Sequence, residues 1–145
     1  MNARLLARRE AMRARRKEAL KFARNESKHG GPVWAGLCQK FTRTGLGAGP
    51  GAASAIIAWE TADDADRYRD DPTPPAGVPV YWRVGRYGHA AISAGRGYCW
   101  STDIKRRGHV DKVRIDALSA RWGAEYLGWL AVINGERVWP RRKAG

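Results

Sequence analysis

The sequence predicts an α+β fold, with N-terminal helices packed on one face of a mostly antiparallel sheet and a basic helical arm ahead of them. Three observations carry that expectation. Residues 3–27, "ARLLARREAMRARRKEALKFARNES", run without Gly or Pro through strong helix formers. The prolines of "RDDPTPPAGVPVYW" then end the helical texture. Beyond them, short apolar and aromatic segments are separated by the Gly-containing links "AGRG" and "NG". Helices followed by strands is an α+β order, and 145 residues is the size of one domain with its own core.

Each element has a local reason. The first helix has a thin apolar face at its start, Leu5, Met12 and Ala19 at heptad spacing, and a better one at Leu20, Phe22 and Ala23. The expected division is a basic helical arm over residues 1–17, a folded domain over 18–139 and a basic tail over 140–145. After the "HGGP" break, "VWAGLCQKFTRTGLG" reads as a short helix with Cys38 in its early turns, and "GAASAIIAWETADDADRY" as a second. A strand is expected at 78–82, a hairpin from "GHAAIS" and "YCWSTDI", and a third strand at "HVDKVRI". "DALSARWG" reads as one or two helical turns capped by Asp116, and "YLGWLAVINGERVW" as a last hairpin turning at Asn134-Gly135. The acidic "DDADRYRDD" is expected to be a solvated helix end, with its charge available to the arm.

Charge narrows the partners without choosing one. The chain holds 27 Lys plus Arg against 14 Asp plus Glu, a net +13, and residues 1–30 alone hold ten basic residues against three Glu. Nucleic acid, anionic lipid headgroups and the anionic polymers of a bacterial wall all suit that field. No apolar run reaches the length of a membrane span, and the basic N-terminus lacks the apolar centre of a secretory signal. Transport out of the cell that makes the protein is therefore expected to depend on something else.

Cys38 and Cys99 are the only cysteines. No disulfide framework follows from two, and with His29, His89 and His109 they show no zinc-ligand spacing, so neither metal nor cofactor is expected. His29 and His109 sit in Gly-flanked polar loops and are expected at the surface. Cys99 lies mid-strand and reads as a small packed hydrophobe.

The chemistry-bearing residues are Cys38, His89, Ser101 and Asp103. A cysteine hydrolase needs a thiolate, an imidazole to take its proton and a polar group to hold that imidazole, and a helix N-terminus lowers the thiol pKa. Cys38 occupies such a position, and His89 opens the first strand of the hairpin. Period-2 alternation puts Cys99, Ser101 and Asp103 on one face, across from the His89 end. Asp103 is the preferred orienter of the ring, because a carboxylate both fixes the tautomer and stabilises the imidazolium; Ser101 is the other candidate. Trp34, one helical turn before Cys38, and Trp82, closing the strand before His89, are the aromatic candidates for substrate contact. Trp82 also falls with Trp100, Trp122 and Trp129 on apolar segments that read as core.

"WAGLCQKFTR", "PPAGVPVYW", "GHAAISAGRGYCWSTD" and "RWGAEYLGW" together resemble the papain-like cell-wall hydrolases of the NlpC and CHAP type, especially those of actinobacterial phages, over roughly residues 18–139. The resemblance implies a papain-like fold, Cys38 as nucleophile, His89 as base, and a peptide or amide bond of peptidoglycan as target. The third family position, usually His, Asn or Gln, falls on Ser101. Such an enzyme would work in a phage virion or at the host cell wall, as a lysin or an entry hydrolase. The alternative is a virion or tail component of the same fold whose basic arm binds a partner protein or nucleic acid.

Overall fold

The computed structural model describes residues 2–142. Its helices are α1 (Ala3–His29), α2 (Cys38–Gly45), α3 (Ala55–Thr61) and α4 (Ile115–Trp122), with a 3₁₀ turn at Asp64–Asp66. The strands are β1 (Arg67–Arg69), β2 (Pro79–Arg83), β3 (His89–Gly95), β4 (Tyr98–Thr102), β5 (Val110–Arg114), β6 (Glu125–Leu130), β7 (Val132–Ile133) and β8 (Glu136–Arg137). Six strands form one antiparallel sheet in the order β1-β6-β2-β3-β4-β5, and β7 pairs with β8 separately. The fold is α+β, as the order of elements predicts.

Register assigns the faces. Tyr81 pairs with Ala90, and Ile92 with Trp100, so these share one face. That face receives α3 through Ala55 and Trp59, and α2 at Gly45, where an added Cβ would meet the Ile92 side chain at 2.8 Å. Trp82 pairs with His89, and Ser93 with Cys99, on the opposite face. Alpha4 covers that side, with Trp122 edge-on to the His89 ring at 5.0 Å. The N-terminal helices thus share one face as expected, and the late helix closes the other.

Helix α1 begins at the Asn2 cap, whose side chain accepts the Leu5 amide at 2.9 Å. Its docked part starts earlier than the 17/18 boundary expected from the sequence. Met12 is buried together with Ala19 and Ala23, Arg15 donates to the Leu46 carbonyl at 2.6 Å, and Arg16 donates to the Val138 carbonyl and stacks over Trp139. Long arginine stems and their donors anchor a helix that apolar patterning alone reads as solvated. Residues 2–11 are all exposed, so the projecting arm is shorter than 1–17.

Three further expectations change. The second helix ends at Thr61, since Ala62 and Asp63 are extended, and the acidic segment becomes the 3₁₀ turn and β1. Asp66 there is buried in a two-pronged ion pair with Arg137 at 3.0 and 3.2 Å, and Asp63 faces Arg141, so this acidity meets the C-terminal segment and not α1. Arg142 donates to the carbonyls of Asp64, Ala65 and Arg67, which ties down the start of the expected 140–145 tail; residues 143–145 lie outside the described residues. Asp116 is not a cap: Arg114 occupies that position without a side-chain bond, and its guanidinium pairs with Asp116 at 3.2 Å. Finally, β6 enters the main sheet between β1 and β2, where Gly128 is required because a Cβ would lie 2.1 Å from the Tyr68 carbonyl oxygen. Only the Asn134-Gly135 end forms the small hairpin, with both residues at positive φ.

Candidate active site

Cys38 is the first residue of α2. Gly36, at φ +70, turns the chain into it, so the helix starts at the cysteine with its first amides unpaired by any preceding turn. The thiol lies in the cluster formed by Ala55, Trp59, Tyr81, Ala90, Leu127 and Leu130. Burial pushes its pKa up, and the charge of Asp103 adds to that, while the backbone N–H groups of Ala90, Gln39 and Cys38 itself point at the sulfur and pull the other way. The Ala90 amide belongs to the peptide unit that joins it to His89. The sulfur thus lies against the backbone at the start of β3, one peptide unit from His89, whereas the imidazole is on the opposite face of the sheet with Trp82 and Ser101, and no hydrogen bond joins the two side chains.

His89 is 5 % exposed, held between Trp82 at 5.7 Å and Trp122 at 5.0 Å between ring centroids. Its Nε2 lies 2.8 Å from Ser101 Oγ, and that hydroxyl lies 3.1 Å from the Thr102 carbonyl. A carbonyl can only accept, so an Nε2–H tautomer, with Oγ accepting from the ring and donating to Thr102, satisfies both contacts at once. In that tautomer Nδ1 carries the lone pair. Burial pushes the His89 pKa down to about 4, against a smaller upward pull from Asp103. The imidazole is neutral at pH 7 and is a base.

Asp103 is not the orienter expected from the sequence. Strand β4 ends at Thr102, and Asp103 turns to φ +67, so alternation fails at the residue that needed it. Its carboxylate instead accepts the amides of Gly36 at 3.1 Å and Gly108 at 2.6 Å. Trp34 N–H donates to the Gly108 carbonyl at 2.9 Å, so the loop leading to Cys38 and the loop leaving β4 clamp each other. Asp103 holds the two halves of the site in register, and Ser101 holds the ring.

The aromatic substrate candidates are also corrected. Trp34 donates its indole N–H to Glu26 and packs edge-on against Phe22 and Phe41, joining α1 to α2. Trp82 is fully buried beneath His89. Neither lines the groove of about 490 Å³ that opens beside Cys38; Gln39, Lys40, Arg43, Ser54 and Tyr87 do. Sequence reasoning passed over these, although Lys40 and Arg43 lie on the cysteine's own helix. A second cavity of about 390 Å³ behind α3 holds the Asp66–Arg137 pair and none of the four candidate residues.

Cys99 is fully buried, and burial pushes its thiol pKa far up. His29 is exposed at the end of α1, while His109 is half-buried and gives its carbonyl to the Asp103 amide. Among the described residues, no group of three His, Cys, Asp or Glu side chains could hold a metal ion. No described helix is long and apolar enough to cross a membrane. No family model, curated protein or solved structure matches the chain.

Proposed function

We propose that this chain is a phage-type peptidoglycan hydrolase with a papain-like fold, cleaving an amide or peptide bond of the stem peptide by Cys38–His89 nucleophilic catalysis. The observation that supports the chemistry is the approach of the Cys38 sulfur to the Ala90 amide, one peptide unit from a His89 ring held by Ser101; the proposed reaction requires the imidazole to reach the sulfur around the start of β3. The substrate class rests on the four resembling segments and on the net charge of +13, which suits an anionic wall. In the mechanism, His89 Nδ1 takes the thiol proton as Sγ attacks the carbonyl carbon. The amides of Cys38 and Gln39 stabilise the oxyanion. Collapse breaks the C–N bond while the imidazolium protonates the leaving amine, and water activated by His89 then hydrolyses the thioester.

A second reading is favoured by two observations: burial keeps both thiol and imidazole uncharged at rest, and residues 2–11 project as a basic helix. It is a virion or tail component with this fold that binds a partner protein or nucleic acid through the arm. Turbidity loss and muropeptide mass analysis on purified actinobacterial walls separate the two. The hydrolase reading expects new amine termini from the intact protein, and a loss of about 10³-fold or more in Cys38→Ala and in His89→Ala. An intact protein as inert as both variants on walls from several hosts leaves the binding reading standing.

A further inference from the structure

We infer that Asn134, at the tip of the β7–β8 hairpin, is a positioning residue for the Cys38 groove: its carboxamide holds the loop that walls the groove and so limits access to the sulfur. The consequence for catalysis rests on the hydrolase reading; the effect on the thiol does not. Pro50, Gly51, Ala52 and Ala53 line the groove together with Cys38, and Asn134 lies outside it. Residues 49–53 form neither helix nor strand, and the two glycines among them make the segment costly to order. Among the described residues, the hydrogen bonds that join this segment to the rest of the fold are the two made by Asn134. Its Oδ1 accepts the Ala52 amide at 3.2 Å, and its Nδ2 donates to the Gly49 carbonyl at 2.9 Å. A carboxamide suits that task because it carries acceptor and donor side by side.

The hairpin is the firm partner in this contact. Val132 pairs with Arg137 and Ile133 with Glu136, and the turn between them places Asn134 at φ 45 and Gly135 at φ 84. Arg137 is fixed by buried Asp66, and the amides of Val138 and Trp139 both donate to the Ala131 carbonyl. The second observation is Gly51, where an added Cβ would lie 2.5 Å from Asn134 Cγ and 2.7 Å from its Oδ1. Gly51 is not at positive φ, so the site uses its missing side chain and not its backbone freedom. Loop and carboxamide are therefore fitted to each other. A rigid turn on the far side of the groove wall sets where that wall stands relative to the sulfur.

The test is the rate of iodoacetamide alkylation of each cysteine in the native full-length protein, read by peptide mass. Cys99, fully buried in the sheet, reports unfolding in the same sample. Asn134→Gly removes the clamp and keeps a residue that accepts the positive φ of the turn. Gly51→Ala displaces the clamp from the loop side without backbone strain. Each variant is expected to raise the Cys38 rate about fivefold or more, since water reaching a buried thiol raises its thiolate fraction, while Cys99 stays unlabelled. A Cys38 rate unchanged in either variant, or Cys99 labelling that rises in step with it, overturns the inference. On actinobacterial walls both variants are expected to raise the apparent KM about threefold or more with kcat changed less, the pattern of lost substrate binding. An unchanged KM overturns the positioning role. Should the unsubstituted protein leave walls intact while the Cys38 rate still rises selectively, the hydrolase reading fails and the clamp stands.

Discussion

The two halves of the site are built in opposite ways. Cys38 stands at a helix start on the wall of an open groove, with three amides turned toward its sulfur. His89 is sealed between Trp82 and Trp122, with one polar side-chain partner, Ser101. Burial opposes charge on both, but only the thiol has N–H groups that compensate. The contrast separates two environments: the histidine half is part of the folded core, and the cysteine half is supported by backbone and can change with little effect on the fold. Under the proposed hydrolase reading, it argues against a preformed thiolate–imidazolium pair.

The largest expected effect tests the sealed half. With the folded pKa near 4 against about 6.5 for an unfolded histidine, the unfolded chain binds the proton first as pH falls. Stability from this group is complete above pH 6.5 and is lost as pH drops to about 4, by about 3 kcal/mol on the linkage relation. Urea unfolding at pH 7 and pH 4 is expected to show a drop smaller by that amount in His89→Gln than in the unsubstituted protein. Parallel drops in the two would mean that the ring is not sealed, and the contrast between the halves would go.

An effect of about 2 kcal/mol is expected of Ser101→Ala, because it leaves the buried Nε2 of His89 without a partner. Under the proposed hydrolase reading the ring also loses its anchor, so wall hydrolysis is expected to fall about tenfold or more, whereas Ser101→Asn, which restores a polar partner, recovers part of it. If Ser101→Ala retains full stability and activity, the ring is held by packing alone.

How much of this was legible depends on where regular periodicity stops. His89, Cys99 and Ser101 lie inside β3 and β4, so alternation places them correctly. Asp103 lies one residue past the strand, at positive φ, and the face assigned to it by alternation does not exist. Trp34 fails for the matching reason at the other end: a helical phase carried back from Cys38 ignores the turn at Gly36. The order of helices and sheet was readable from proline and glycine punctuation. The anchoring of α1 by Arg15 and Arg16 was not, because their acceptors, the carbonyls of Leu46 and Val138, are 31 and 122 residues away. Groove residues such as Gln39 and Tyr87 carry no periodic signal at all; their common position is a product of the tertiary fold.

The smallest expected effect belongs to the open half. Cys38→Ala removes one partly buried sulfur from a small cluster and leaves the amides of Cys38, Gln39 and Ala90 facing a groove that water can enter. The cost is about 0.5–1 kcal/mol, the scale of losing little more than one methylene equivalent from packing. Unfolding at pH 7 checks it, and the same variant measured at pH 4 sharpens the comparison, since removing the sulfur leaves the His89 linkage in place. A loss of 3 kcal/mol or more at pH 7 would show the cysteine to be as structural as the histidine. That outcome would make the two halves one buried unit and weaken the case that the groove exists to bring a substrate to the sulfur.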